Sequence, residues 1–289
     1  MTAINRILVP IDFSKNSIAA FQYALELGEK LNRATPTENV TIKVVHMYEV
    51  LGSETSIGIM SDFDVLEKKI KNFVEENIIE DHVEGVMTRR KVNIETEIYY
   101  GTPSIEIVRV ADMGYDLIVM GMVGKRTLGE MIFGSVATHV TQEAHCPVLL
   151  VPRNKRFTKI RNLAYACDFD HKSFKHPALI ADLAQLFHAD VHLVFVKTHE
   201  KVKQDYETDL ADMKSIFAIQ APLLQYNGYI VEEDDVFYGI NNFSKEHKID
   251  MVVTITKNHT FWERLFRASI TKQLAMYSEL PLLVIKARD

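Results

Sequence analysis

Apolar positions along this chain follow two alternating rhythms. "RILVPI" (Arg6–Ile11) is a short, almost continuous apolar run, as expected of a strand buried on both faces. "SIAAFQYALELGEKLN" (Ser17–Asn32) then places Ile18, Phe21, Ala24, Leu25 and Leu31 at helical spacing, with Ser14 or Ser17 available as a cap. Strand follows at Val40–Val50 and helix at Asp62–His82, with Phe63, Leu66, Ile70, Phe73, Val74 and Ile78 on one side. Val92–Gly101 alternates as a strand, and Thr102–Gly114 reads as a helix with Pro103 in its first turn. "DLIVMG" is a strand, Gly134–Ala144 a helix and "PVLLVP" a last strand. Regular alternation with continuously apolar strands predicts an α/β fold, a parallel sheet with helices on both faces.

The pattern is written twice. "INRILVPIDFS" (Ile4–Ser14) resembles "IRNLAYACDFD" (Ile160–Asp170), "YDLIVMGMVG" (Tyr115–Gly124) resembles "IDMVVTITKN" (Ile249–Asn258), and "CPVLLV" (Cys146–Val151) resembles "LPLLVI" (Leu280–Ile285). The same order in both halves argues for duplication. The first pair is offset by 156 residues and the later pairs by 134, so the second copy is shorter in its middle. The second half repeats the alternation, with Ala189–Lys197 as strand, Asp205–Gly228 as helix, Val231–Gly239 as strand and Ala268–Ser278 as helix. The expected domains are 1–152 and 160–289, joined by the polar, basic linker 153–159.

Composition narrows the function. The 289 residues are 47% hydrophobic and 25% charged, ordinary for a globular protein. A net charge of −6 argues against general attraction to nucleic-acid phosphates. No apolar run is long enough to span a membrane, and the N-terminus lacks the pattern of an export signal. With only Cys146 and Cys167, a cytoplasmic protein with reduced thiols is expected.

Glycine is scarce, 12 in all, yet Gly121, Gly124, Gly129 and Gly134 fall within "GMVGKRTLGEMIFGS" (121–135), just after an apolar strand. In open α/β sheets ligands sit beyond the carboxyl ends of the strands. Gly134-Ser135 opens a helix whose free N–H groups and dipole favour an anion. Lys125 and Arg126 add positive charge, so the stretch suits a phosphate cradle. It has neither the Gly-Lys-Ser/Thr of a P-loop nor a dinucleotide GxGxxG.

The spacing G-x2-G-x9-G-S, with an Asp after the first strand, resembles the nucleotide motif of the universal stress protein family. The resemblance covers nearly the whole chain, once per half. It implies two tandem, doubly wound, Rossmann-like domains, each a five-strand parallel sheet of order 3-2-1-4-5, similar to adenine nucleotide alpha hydrolases. In ATP-binding members the acidic residue meets the adenosine end, which here is Asp12. Pro10 and Met47 match backbone-contact positions around base and ribose. Gly121, Gly124, Gly134, Ser135 and the N–H of Val136 match ribose and phosphate positions. The resemblance thus implies ATP as ligand and a regulatory stress-response role; Asp12, read as a carboxylate near phosphates, could also hold Mg²⁺.

The second half departs from the motif. Gly121 becomes Ile255, Gly124 becomes Asn258 and Gly134 becomes Ala268, while Ser269 persists and Asp168 matches Asp12. Nucleotide is therefore expected in the first domain alone. Two other functions stay open: slow ATP hydrolysis or phosphate transfer at the same site, and a nucleotide-free assembly module in which the glycines serve only a turn. Asp12 could alternatively cap the following helix. "CDFDHKSFKH" offers Asp168, Asp170, His171 and His176, better read as solvated residues than as a metal site, and His46 and His192 read as satisfied core or edge histidines. No nucleophile elbow, HExxH or CxxC occurs, and no water-activating base stands out. The family resemblance further suggests that the final strands pair antiparallel within one chain, a pseudo-dimer, with homodimers and an unidentified protein partner also open.

Overall fold

The computed structural model describes residues 4–34, 39–49, 56–78, 82–83, 86–87, 92–122, 135–167, 177–198, 205–220, 222–256 and 280–286. Contacts divide the chain into two compact units, which part between Phe157 and Thr158.

The first unit contains β1 (Arg6–Ile11), α1 (Lys15–Ala34), β2 (Thr41–Tyr48), α2 (Ser56–Asn77), β3 (His82–Val83), β4 (Val86–Met87), β5 (Asn93–Tyr100), α3 (Pro103–Ala111), β6 (Leu117–Gly121), α4 (Ser135–Glu143) and β7 (Val148–Val151). The second contains β8 (Asn162–Ala166), α5 (Pro177–Phe187), β9 (Asp190–Lys197), α6 (Tyr206–Gln220), β10 (Tyr226–Glu232), α7 (Val236–Glu246), β11 (Met251–Thr256) and β12 (Leu282–Lys286). Within the first unit the strands lie in the order β5-β2-β1-β6-β7, and within the second β10-β9-β8-β11-β12. All these pairings are parallel. Numbered by the main strands of each unit, both sheets are 3-2-1-4-5, the doubly wound arrangement that the alternating pattern and the resemblance led us to expect.

Burial explains why these segments form. Ile7, Leu8 and Val9 are fully enclosed, as are Ala20, Phe21, Ala24 and Leu25 on the inner face of α1. Each such large side chain contributes about 1.5–3 kcal/mol of transfer free energy. Ser14 caps α1: its Oγ accepts from the Ser17 N–H (3.3 Å), and its carbonyl accepts the first helical bond, from Ile18 N–H (3.0 Å).

One clamp recurs in both units. Asp116, just before β6, accepts the N–H groups of Asn5 (2.9 Å) and Arg6 (2.8 Å) on one oxygen. Asp250, just before β11, accepts those of Arg161 (2.7 Å) and Asn162 (3.0 Å) in the same way. The second residue of each pair also donates through its side chain, Arg6 to the carbonyl of Gly114 (3.1 Å) and Asn162 to that of Lys248 (3.2 Å). These pairs keep the offsets of 156 and 134 read from the sequence, so the duplication extends to hydrogen bonds.

Some boundaries differ from expectation. The helix expected over Asp62–His82 runs from Ser56 to Asn77, and His82 instead joins the two-residue hairpin β3–β4. The largest difference lies in the second unit. Helix was expected through Gly228, but α6 ends at Gln220 and Tyr226–Gly228 already belong to β10. Pro222 accounts for this, because the residue before a proline is driven out of the α region. The expected strand Val231–Gly239 likewise gives way after Glu232, and Val236 opens α7. The expected helix Ala268–Ser278 lies outside the described residues. Phe157, assigned to the linker from sequence, packs edge-on against Tyr23 of α1 at 5.2 Å.

Candidate functional site

The site follows from a single backbone feature. Strand β1 lies between β2 and β6, and its residues turn their N–H and C=O groups to the two sides alternately. Asn5 offers its carbonyl to Thr41 on the β2 side, and Arg6 offers its own to Asp116 on the β6 side. By that alternation residue 10 faces β6, and it is a proline, with no N–H to give. The β1–β6 ladder accordingly holds at Ile7–Leu117 and Leu8–Ile118 and goes no further. Hydrogen bonding between β1 and β6 thus stops short of their carboxyl ends, at the point where the strand order reverses, which is where open α/β sheets take ligands.

A cavity of about 290 Å³ opens there, near the lower end of the usual range for ligand pockets. Pro10, Asp12, Met47, Gly121, Ser135 and Val136 all line it, so six of the eight residues proposed from the sequence come together. Gly124 and Gly134 lie outside the described residues, as do Lys125 and Arg126. The wall is mixed: Ile11, Ile107 and Met120 are apolar, while Ser14, Asn16, Ser17 and His46 are polar.

Asp12 is exposed and does not cap α1; Ser14 does that. Instead the Asp12 carboxylate accepts the N–H of Ser14 (3.0 Å), closing a turn. Desolvation by the surrounding protein pushes the pKa of this solvent-accessible carboxyl up, but the hydroxyl and N–H of Ser14 and the hydroxyl of Ser17 outweigh this and hold it below the ordinary 3.8. Asp12 is therefore ionised at neutral pH and bears acceptor lone pairs. It suits hydroxyl or amine donors and repels phosphate. Phe13, the next residue, has φ 61°, a left-handed conformation that costs a non-glycine residue free energy and often marks a functional turn.

Sequence reasoning undervalued His46. Its Nδ1 lies 2.9 Å from the carbonyl of Ile11, the residue just before Asp12, and so holds a proton toward it. The ring packs on Phe13 at 4.6 Å, and the ammonium of Lys69 stands over the same Phe13 ring at 4.1 Å. Burial lowers the His46 pKa; the Ile11 bond and Asp12 oppose this, and Lys69 reinforces it. The signal was the position of His46, one residue before Met47 at the end of the second strand. Asn16 was also missed. A Cβ on Gly121 would lie 2.5 Å from the Asn16 carbonyl carbon, so Gly121 is required by the close approach of α1 to β6.

The second unit is built differently at the equivalent place. Ala166 occupies the position of Pro10 and does carry an N–H. Cys167 N–H turns to Val194 of β9, so Ala166 N–H turns to β11. The β8–β11 ladder continues from Leu163–Met251 through Ala166–Thr254. Ile255, at the position of Gly121, is buried. Asp168, Asn258, Ala268, Ser269 and the His171–His176 stretch lie outside the described residues. Cys167 is buried, with its Sγ 3.3 Å from the Tyr165 carbonyl. Among the described residues no cluster of three or more His, Cys, Asp or Glu could hold a metal ion, and no helix is long and apolar enough to cross a membrane.

Comparison with known proteins agrees with this architecture. The sequence profile of the universal stress protein family matches residues 3–152 and again 159–286. Universal stress protein MJ0531 of Methanocaldococcus jannaschii is 33% identical over 159 residues, 52% of this chain and 84% of that protein. Universal stress protein YxiE of Bacillus subtilis is 31% identical over 153 residues, 51% of this chain and 98% of that one. The crystal structure of a universal stress protein from Archaeoglobus fulgidus covers 99% of both chains with a TM-score of 0.72 at 17% identity, a likeness of fold. With both halves matched by one profile, this chain belongs to the universal stress protein family, as a tandem form of two such domains.

Proposed function

We propose that the protein is an ATP-binding regulator of the stress response, holding the nucleotide in its first unit only. The observation that carries this is the cavity at the unpaired carboxyl ends of β1 and β6, where six residues chosen from sequence alone converge. The ionised Asp12 suits the hydroxyl and amine donors of adenosine, and the apolar wall of Pro10, Met47 and Val136 suits a purine ring. Ser135, at the first turn of α4, suits the phosphates, since a helix N-terminus offers unpaired N–H groups and a favourable dipole. Asp12 is also the residue that would hold Mg²⁺. The paired β8–β11 ends and the buried Ile255 support restricting the nucleotide to one unit.

One observation favours the nucleotide-free alternative at a single position. Gly121 has a packing reason of its own in the Asn16 backbone, so it gives no independent support to ligand binding. The test therefore leaves Gly121 in place. Isothermal titration of ATP into the wild type and into a Gly124→Val/Gly134→Val variant should show binding lost in the variant, with thermal unfolding unchanged. Equal affinities would reject the assignment. Mass spectrometry of ligand released on denaturation would identify the nucleotide, and phosphate release that disappears in Asp12→Ala would move the protein to the ATPases.

A further inference from the structure

The two units differ sharply at one set of equivalent sheet positions. In the first, Lys43 of β2 forms ion pairs with Glu97 (2.7 Å) and Glu95 (3.3 Å) of β5. Strand register equates Lys43 with His192, Glu95 with Asn227 and Glu97 with Tyr229. The second unit thus replaces a permanently charged lattice with an aromatic box. His192 is 8% exposed and stacks on Tyr229 at 5.6 Å. Phe243 of α7 closes the box at 6.0 Å, and His247, just after α7, lies 5.7 Å from His192. His247 in turn stacks on Phe243 at 4.1 Å and meets Tyr229 at 4.8 Å.

We propose that His192 is the trigger of an acid-sensitive latch: its neutral ring, packed among Tyr229, Phe243 and His247, holds the C-terminal end of α7 on the sheet, and its protonation releases it. The box offers little to a charged His192. Among the described residues the buried Nδ1 of His192 has no hydrogen-bond partner, and its Nε2 meets the Asn162 side-chain oxygen at 3.4 Å. Among the described residues the groups facing it are few. Asp190, two residues earlier on β9, favours the charged form, while His247 opposes it. Strand β8 contributes the neutral Asn162 and Ala164, and β10 contributes Asn227 and Tyr229. The Asp250 carboxylate is already engaged by two backbone N–H groups. Burial, then His247, lowers the His192 pKa, and Asp190 does not reverse this. The sign follows: neutral His192 supports the folded box fully above its ordinary value of 6.5, and that support declines as pH falls below it. Lys43 and Glu97 keep their charges through the same interval, so the first unit lacks this response at the equivalent place.

The experiment is amide hydrogen exchange on the full chain at pH 7.5 and 5.5, corrected for intrinsic exchange rates. Protection of α7 should fall by about fivefold or more at the lower pH while that of α3, its counterpart, holds. A His192→Gln/His247→Phe variant should lose the difference. Constant α7 protection, an equal fall in α3, or a persisting fall in the variant would overturn the proposal. Should the variant fail to fold, NMR titration of wild-type His192 decides the matter: a midpoint at or above 6.5 refutes the latch.

Discussion

Lys248 sits in the left-handed region, at φ 51°, where its counterpart in the first unit is Gly114 at φ 95°. It follows α7, and the helix ends on it: its N–H reaches the carbonyl of Lys245 (3.4 Å), and Ile249 N–H reaches that of Ser244 (2.9 Å). This is a Schellman ending, which favours glycine. The left-handed conformation costs an L-residue about 1–2 kcal/mol. Glycine gives back about 0.4–1 kcal/mol through its freer unfolded chain. Lys248→Gly should therefore stabilise the second unit by about 0.5–1 kcal/mol. The bond from Asn162 survives the change, since it reaches the Lys248 backbone carbonyl. Trp262 is the single tryptophan and belongs to the second half, so urea unfolding followed by its fluorescence is the assay. The midpoint should rise with an unchanged slope. The reciprocal change, Gly114→Lys, should cost the first unit about 1–2 kcal/mol, since a Cβ there would also stand 3.1 Å from the Arg6 guanidinium. A neutral or destabilising Lys248→Gly, or a tolerated Gly114→Lys, would refute the argument.

Asp116→Ala and Asp250→Ala each leave two backbone N–H groups without their acceptor, and each should destabilise its own unit by about 1–3 kcal/mol in urea unfolding. Gly121→Ala forces a methyl group into the Asn16 backbone and should cost about 1–3 kcal/mol, seen as a lower thermal midpoint with or without ATP. The pKa of His46 is lowered mainly by burial, so its contribution to stability is complete above about pH 6.5 and declines below that value. His46→Gln should flatten the fall in unfolding free energy measured between pH 7.5 and 5.5.

The fold was legible because its signals are local and repeated. Continuous runs such as "RILVPI" and helical stripes such as Phe21, Ala24 and Leu25 report burial directly, and two copies in one order fixed the architecture. The candidate site was legible as residue types at fixed spacing, which brought Pro10, Asp12, Met47, Gly121, Ser135 and Val136 to one cavity. What escaped were consequences of contact. Nothing local marks His46 as the holder of the Ile11 carbonyl, or Asn16 as the reason for Gly121. The limits of α6 and β10 escaped because the edge strand Tyr226–Glu232 is only partly buried along its length and lacks a clear period. Pro222 was the available signal there.

The sharpest contrast between the units also lies in a proline. At residue 10 the donor that would face β6 is missing, and the ladder to β6 ends at Leu8–Ile118. At residue 166 the donor is present, and the corresponding ladder reaches Ala166–Thr254. A missing N–H thus ends one ladder at its switch point, and a present one lets its twin run on. Pro10→Ala restores a donor toward β6 without adding bulk to the cavity. Extension of the β1–β6 ladder should narrow the cleft, so ATP affinity measured by titration should weaken while the unfolding midpoint holds or rises. Ala166→Pro removes the bond to β11 from a buried strand and should destabilise the second unit by about 1–3 kcal/mol. It should not create an ATP site, because Ile255 still fills the position of Gly121. If Pro10→Ala left affinity and midpoint unchanged, the missing donor at residue 10 would play no part in the site, and the cavity would need another cause.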